Sequence, residues 1–154
     1  MQVNAKTCLI IKEIIKKRGW VELPAQGTSM FPVIQEGDIC RFVSCETKNL
    51  QKGDIILFQD STGKLVTHRY VKSYEELNEQ FYLFKGDTNL GLDAPIAKDK
   101  IIGKLFLIKK KKTVKKASSL SLVVWGAVII RCPIVSGWLR SYLNKKTRKA
   151  VANL

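Results

Sequence analysis

Three kinds of side chain in this sequence could together carry out nucleophilic catalysis: a serine, a histidine and two aspartates. Ser29 lies in the run Gly27-Thr28-Ser29-Met30-Phe31-Pro32, His68 is the sole histidine of the chain, and Asp87 and Asp93 come after it. A serine hydroxyl is a weak nucleophile at neutral pH and needs a base within hydrogen-bond reach. An imidazole can accept that proton, and a carboxylate on its other nitrogen fixes the tautomer and stabilises the imidazolium. These residues predict acyl-transfer chemistry if the fold brings them together.

Each of these residues also has an ordinary structural interpretation. Glycine, threonine and serine beside a proline are common loop chemistry, so Ser29 could be a turn residue ahead of a strand. His68 could be a strand residue that is hydrogen-bonded in a sheet. Asp87 and Asp93 follow a glycine or precede Ala94-Pro95, and both settings favour turns. Residue types alone leave both interpretations open.

A helix and a short strand are predicted ahead of Ser29. Apolar residues with helical spacing precede Gly19, which is a suitable end for the helix: Leu9, Ile10, Ile11, Ile14 and Ile15. A helix of about 12 residues is marginal alone in water, so we expect it to pack on the domain rather than lie on a membrane. Trp20 to Leu23 alternates like a strand and stops at Pro24.

Strand signals dominate the chain after Pro32. The predicted strands are separated by Gly/Asp turns and cover Ile39 to Val43, Ile55 to Phe58, Lys64 to Lys72, Phe81 to Phe84 and Ile101 to Ile108. Between them only Tyr74 to Gln80 could hold a helical turn. Several short strands without intervening helices predict a mainly β, antiparallel domain.

The basic charge is concentrated at the end of the chain. Residues 1–108 hold 15 Lys/Arg and 13 Asp/Glu, whereas residues 109–154 hold 12 Lys/Arg and no acid, so most of the net charge of +14 lies there. A basic, partly apolar tail favours an anionic partner, either a membrane or nucleic acid. The lysine blocks contain no interleaved aromatic residues for base stacking, which argues against a specific nucleic-acid partner.

The apolar part of the tail is short for a membrane span. Leu120 to Ile130 is apolar apart from Ser121, and Arg131 and Pro133 interrupt it before Ile134 to Leu143. A spanning helix needs about 20 predominantly apolar residues. The sequence therefore leaves two alternatives open, a helix or hairpin that lies in the membrane interface, and a helical segment that docks on the core.

Metal, cofactor and disulfide chemistry are not expected. The four cysteines, Cys8, Cys40, Cys45 and Cys132, have no C-x-x-C spacing, and a single histidine makes a zinc site improbable. We predict reduced thiols in a cytosol-facing protein and no cofactor. A secretory signal is not expected either, because Lys12 and Glu13 interrupt the apolar run from Cys8 to Ile15.

Five ordered blocks between about Gly27 and Leu105 resemble signal peptidase I and the related self-cleaving repressor peptidases. The block Gly27 to Asp38 resembles the family's nucleophile box. The later blocks resemble the strand before the base, the base-bearing strand, the Lys-Gly-Asp block and the closing strand: Lys52 to Phe58, Val66 to Val71, Phe84 to Asn89 with Asp93, and Ile101 to Leu105. Most bacterial members use lysine as the base, whereas His68-Arg69 resembles the endoplasmic-reticulum type.

The resemblance implies a role for each site residue. Ser29 would be the nucleophile and His68 the general base, Asp93 would orient the histidine, and Asp87 would be a supporting acid. It further implies a coiled antiparallel β-sheet and a serine endopeptidase that removes a leader or signal segment from a precursor polypeptide. The substrate would add as an edge strand with small side chains before the cut. The alternative is an inactive or regulatory member that acts as a basic binding module.

Two departures from the family pattern concern the oxyanion and the membrane anchor. Gly27 stands where signal peptidases commonly carry a serine that assists the oxyanion, so backbone N–H groups or Thr28 would have to assist it. An N-terminal transmembrane anchor is not expected in residues 1–23. A self-cleaving regulator is disfavoured because the chain has no Ala-Gly dipeptide.

Three segments are predicted from these patterns. Residues 1–23 form the N-terminal helix and lead-in strand, residues 24–108 the catalytic β domain, and residues 109–154 the basic tail, which binds an anionic membrane surface through residues 109–149. Six lysines precede the apolar stretch and five basic residues follow it. The positive-inside tendency then predicts a membrane-associated protein with its catalytic domain on the cytoplasmic side.

Overall fold

The computed structural model describes residues 5–152 and combines one antiparallel sheet with three α-helices. The first four and last two residues of the predicted terminal segments lie outside the described residues. The elements, in chain order, are α1 Ala5–Arg18, β1 Trp20–Pro24, β2 Ile39–Val43, β3 Ile55–Gln59, β4 Leu65–Glu76, β5 Glu79–Lys85, β6 Ile96–Ala97, β7 Ile101–Lys109, β8 Val114–Lys116, α2 Leu120–Arg131 and α3 Pro133–Ala152. Two single-turn 3-10 helices, Thr47–Asn49 and Lys98–Lys100, lie in the connections.

The strands form one sheet with the order β1-β2-β7-β3-β4-β5-β6, and β8 pairs with β7. Every ladder in the described chain is antiparallel. Irregular registers in three ladders bend the sheet, as bulges do. The predicted fold class, a mainly β antiparallel sheet with a short N-terminal helix and a C-terminal helical segment, is confirmed.

The hairpin between β4 and β5 differs from the prediction. Tyr74 to Gln80 holds no helical turn, because β4 continues to Glu76 and β5 begins at Glu79. The two linking residues, Leu77 and Asn78, both have positive φ, at 51° and 63°. A two-residue turn with two positive φ angles matches the right-handed twist of paired strands, so it extends the hairpin instead of ending it.

Helix α1 packs on the sheet as predicted, but only part of its predicted apolar face is used, because Leu9, Ile10 and Ile14 are exposed. Cys8, Ile11 and Ile15 are buried in one core cluster with Phe42 of β2 and Leu105 of β7. The helix ends before Gly19, whose N–H donates to the Ile15 carbonyl at 2.8 Å. This packing positions β1, which leads directly to the Ser29 loop.

The C-terminal helices dock on the sheet through one face only. Leu122, Gly126 and Ile129 of α2 and Ser136 of α3 are buried, whereas a set of apolar side chains stays exposed: Leu120, Val123, Val124, Val128, Ile134, Trp138 and Tyr142. The sheet also extends beyond residue 108, because β8 pairs with β7. The three predicted segments are therefore packed together, and their functional division stays a prediction.

No single helix within residues 5–152 is long and apolar enough to cross a bilayer. Helix α2 and Pro133–Val151 reach the required length and composition only as a pair, which is bent by 100°. The break lies at Cys132, immediately before Pro133, where a proline ring interrupts helical hydrogen bonding.

Candidate active site

Strand β4 carries two neighbouring residues, His68 and Arg69, to opposite faces of the sheet, because side chains alternate along a strand. Both are nearly inaccessible, with side chains that are 7% and 2% exposed. Each is paired with an aspartate from the loop between β5 and β6. The two pairs differ in solvent access and in chemistry.

The first pair joins His68 and Asp93. Nδ1 of His68 and Oδ2 of Asp93 lie 2.6 Å apart, and the Asp93 side chain is 22% exposed. The Asp93 backbone N–H donates to the Phe84 carbonyl at 2.9 Å, which fixes the loop against the end of β5. A carboxylate at Nδ1 selects the tautomer with its proton on that atom and leaves the Nε2 lone pair free to accept a proton.

The Ser29 loop is held by contacts to the segment Gly86 to Thr88. Gly27 has φ +78°, which a residue with a side chain rarely adopts, and it reverses the chain just before Ser29. The Ser29 carbonyl accepts hydrogen bonds from the Thr88 backbone N–H at 3.0 Å and from its hydroxyl at 3.3 Å. The position of Ser29 is therefore tied to the loop that carries Asp87 and Asp93.

Gly86 lies against the free nitrogen of His68. A Cβ built on Gly86 would be 3.0 Å from His68 Nε2 and 3.0 Å from the Asn89 side chain. Contacts this short leave no room for a side chain, so glycine keeps the backbone close to the imidazole. The segment Gly86 to Thr88 thus touches both His68 and Ser29.

Ser29 and His68 line the same cavity of about 380 Å³. Its wall is mainly apolar and includes Leu23, Ala25, Met30, Ile34, Phe42, Leu57, Leu65 and Val66. Two strand edges border it. Among the described strands, β1 pairs only with β2, and residues Leu65 to His68 of β4 pair only with β3. An extended peptide could lie between these edges with small apolar side chains in the cavity.

The second pair is Arg69 with Asp87, and it is sealed from solvent. Arg69 Nε and Nη2 donate to the two Asp87 carboxylate oxygens at 2.7 and 3.2 Å, and Asp87 is 0% exposed. Arg69 Nη1 donates to the Gly53 carbonyl at 3.1 Å. The Trp125 indole N–H donates to Asp87 Oδ2 at 2.9 Å. Asp87 is therefore bound to arginine and tryptophan on the face opposite His68.

Two contacts of this region, Trp125 with Asp87 and Lys85 with Ser136, have no signal in the sequence. Trp125 stands in an apolar helix, where a tryptophan has no recognisable pattern as an aspartate partner. Lys85 Nζ donates to the buried Ser136 hydroxyl of α3 at 2.7 Å. Burial lowers the pKa of Lys85; the nearby Arg69 charge lowers it further and the Asp87 charge opposes the shift.

The cysteines and the acidic groups supply no metal site in the described chain. No group of three or more His, Cys, Asp and Glu side chains within residues 5–152 could hold a metal ion. All four cysteines are free thiols. Burial raises the pKa of Cys40 to about 12 and that of Cys45 to about 11, so neither is an activated nucleophile.

The chain is similar to known proteins over about half of its length. No protein-family profile matches the chain. The chain is 33% identical over 88 residues to the signal peptidase complex catalytic subunit SEC11 of Saccharomyces cerevisiae strains YJM789, RM11-1a and JAY291, a match that covers 56% of this chain and 50% of each relative. The chain spans about half the length of the curated relatives it matches.

These matches confirm the resemblance to signal peptidases of the endoplasmic-reticulum type. The chain is thus similar to catalytic subunits of that class, and its curled β-sheet is the fold that the resemblance implies. The catalytic roles of Ser29, His68, Asp93 and Asp87 stay predictions.

Proposed function

We propose that this chain is a serine endopeptidase of signal-peptidase type that removes a leader or signal segment from a precursor polypeptide. One observation carries the proposal most directly. His68 is paired with Asp93 at 2.6 Å and lines the same apolar cavity as Ser29. General-base activation of a hydroxyl requires an imidazole whose free nitrogen can accept the proton, and an oriented His68 in the same cavity as Ser29 supports that arrangement.

The proposed reaction proceeds in two steps. Ser29 Oγ attacks the scissile carbonyl while His68 Nε2 takes the hydroxyl proton, and the same nitrogen then gives that proton to the leaving amine. The peptide bond breaks and an ester forms on Ser29. Water, deprotonated by His68, hydrolyses the ester and restores the serine. Asp93 orients the imidazole and stabilises its charged form in both steps.

The cavity and its two strand edges favour an extended substrate. Unpaired backbone groups of β1 and of the start of β4 can bind a peptide by strand addition. The apolar wall accepts small uncharged side chains next to Ser29, in line with the small residues that the family resemblance implies. A charged residue next to the cut would lose its hydration there without a partner.

The proposal is tested by incubating the purified chain with secretory and leader-bearing precursors and determining product termini by mass spectrometry. His68→Ala should abolish cleavage because it removes the base. Lys72→Ala is the matched control, since Lys72 is an exposed basic residue on the same strand and should be dispensable. Turnover by His68→Ala at the wild-type rate would refute the Ser-His assignment. Lys72 or Lys85 would then be the candidate general base. Folded protein that cleaves none of the precursors would favour the basic binding module.

We also propose that the chain associates with an anionic membrane surface, with the catalytic domain on the cytoplasmic side. The exposed apolar side chains of α2 and α3 support this, as do the basic residues that flank the helices. Basic side chains near an anionic leaflet contribute about 1 kcal/mol each. The bend between the helices suits a pair that lies in the interface better than one that crosses it.

Membrane association is measured by sedimentation with vesicles that contain phosphatidylserine or only phosphatidylcholine. Val124→Ser on the exposed face of α2 should weaken binding to the anionic vesicles. Leu77→Ser is the control, because Leu77 is also exposed but lies in the β4–β5 turn. Equal binding to both vesicle types would contradict the charge-based attraction. Digestion of the catalytic domain by protease added outside intact cells would contradict the cytoplasmic orientation.

A further inference from the structure

Helix α2 contacts the interior of the β domain through two successive residues, Trp125 and Gly126. The Trp125 indole N–H is the third donor to the Asp87 carboxylate, in addition to two donors from Arg69. A carboxylate with no exposed surface depends on such donors in place of water. The helix is therefore one of the elements that fix the orientation of Asp87.

Gly126 allows α2 to approach Arg69 closely. A Cβ built at this position would lie 2.7 Å from Arg69 Nη1 and 3.3 Å from its Cζ. The guanidinium cannot move aside without loss, because it is buried and already bonded to Asp87 and to the Gly53 carbonyl. A methyl group at residue 126 would displace either the helix or the arginine.

The Arg69–Asp87 pair is joined by the main chain to both proposed reacting groups. Arg69 directly follows His68 in β4. Asp87 lies between Gly86, whose backbone is against His68 Nε2, and Thr88, which donates two hydrogen bonds to the Ser29 carbonyl. A rotation of Asp87 would therefore move the segment that sets the spacing between Ser29 and His68.

We infer that helix α2 is a positioning element of the catalytic centre, in which the Trp125 N–H and the absent side chain of Gly126 fix the Arg69–Asp87 pair and thereby align Ser29 with His68. This inference rests on the proposed function for its kinetic consequence only. Trp125 and Gly126 touch no reacting atom, so they are positioning residues. Substitution of either residue should therefore lower the rate of the chemical step more than it weakens substrate binding.

The chain offers matched controls for both residues. Trp125→Phe removes the indole N–H and keeps an aromatic ring, and Trp138→Phe makes the same change at an exposed position of α3. Gly126→Ala introduces the clash with Arg69, whereas a Cβ at Gly137 of α3 would meet only Leu90 at 3.7 Å, an ordinary contact. Both glycine changes replace a helical glycine with a better helix former, so propensity alone predicts no loss.

The test combines kinetics with the NMR signals of His68, which are unambiguous because the chain has one histidine. With a cleavable precursor, Trp125→Phe and Gly126→Ala should lower kcat about 10- to 100-fold at nearly constant KM, since small misplacements of reacting groups have effects of this size. The ring nitrogen resonances of His68 should shift in both variants, whereas Trp138→Phe and Gly137→Ala should retain the wild-type kcat and spectrum.

The spectrum separates this inference from the proposed function. If the wild type cleaves no precursor but the His68 resonances respond to both α2 variants, the positioning role stands and the peptidase assignment fails. If the His68 resonances of both folded variants coincide with those of the wild type, the inference is overturned, whatever the cleavage rates. Thermal unfolding shows whether each variant is folded. If one of the two α2 variants has lost its fold, the His68 resonances of the other test the inference.

Discussion

The two residue pairs at adjacent positions of strand β4, His68–Asp93 and Arg69–Asp87, differ in solvent access and in chemistry. His68–Asp93 lies at the cavity, and its carboxylate retains partial contact with solvent. Arg69–Asp87 lies on the other face with no exposed carboxylate surface and with Trp125 as an additional donor. Both acids come from the same loop. One β-strand and one loop therefore supply a pair that can exchange a proton and a pair that holds a fixed charge.

This difference explains why the two aspartates should respond differently to mutation. An imidazole can be neutral or charged, so the first pair can change its protonation state during a reaction. A guanidinium stays charged, so the second pair can contribute only position and stability. Asp93 should therefore matter chiefly for rate and Asp87 chiefly for the folded structure.

The largest effect is expected for Asp93→Asn. The amide cannot select the same histidine tautomer or stabilise the imidazolium, so kcat should fall by about 10⁴-fold with little change in thermal stability. The measurement is kcat on a cleavable precursor together with a melting curve for each protein. A loss of less than tenfold would show that Asp93 does not orient the base.

Asp87→Ala should lower the free energy of unfolding more than Asp93→Ala does. It leaves the Arg69 charge buried without its partner, and breaking such a pair costs about 3–5 kcal/mol. The free energy of unfolding is measured by urea titration, with Asp93→Ala as the matched control. The control should lose less free energy of unfolding, because the Asp93 carboxylate is partly solvated and an imidazole, unlike a guanidinium, need not carry a charge. Equal losses for the two variants would contradict the assigned division of roles.

A smaller loss is expected for Ser136→Ala in α3. The change removes the hydroxyl that accepts from Lys85 Nζ at 2.7 Å in a buried setting. An unsatisfied buried donor costs about 1–3 kcal/mol, more when it is charged. Urea titration should give a free energy of unfolding for the variant that is about 1–3 kcal/mol below that of the wild type. Ser118→Ala, at an exposed position in the turn before α2, should have little effect and serves as the control.

The smallest expected effect is a pH dependence of stability from Lys85. Burial lowers its pKa in the folded protein below the ordinary lysine value of 10.5. Between the lowered and the unfolded pKa the unfolded chain binds more protons, so this group increases stability as the pH rises through that window. Unfolding free energies from pH 7 to pH 10.5 should therefore rise for the wild type relative to Lys85→Met. If the unfolding free energies of the wild type and of Lys85→Met changed equally with pH, the lowered pKa of Lys85 would be contradicted.

Local sequence patterns predicted much of the sheet. Trp20 to Leu23, Ile39 to Val43 and Ile55 to Phe58 appear as strands within one residue of their predicted bounds. Alternation and Gly/Asp turns encode these elements locally. The β4–β5 hairpin was missed because Leu77 is a rare residue at positive φ, and its turn is imposed by the pairing of the flanking strands.

The site was predictable only where family motifs cover it. His68 and Asp93 could be paired from the resemblance, and the structure brings them into contact. The partners of Asp87 depend on contacts between residues 38 and 18 positions apart, Trp125 and Arg69, which no local pattern encodes. The docking of α2 and α3 was likewise left open, because an apolar helical face fits a protein core and a membrane equally well.

The central claim is that Ser29 is a nucleophile activated by His68 for cleavage of a precursor polypeptide. The most direct measurement compares precursor cleavage by the wild type with that by Ser29→Ala at equal concentration, with Ser61→Ala in an exposed turn as the control. We predict one defined cleavage site for the wild type and the control, and no product from folded Ser29→Ala. Cleavage at the same site and rate by Ser29→Ala would contradict the account.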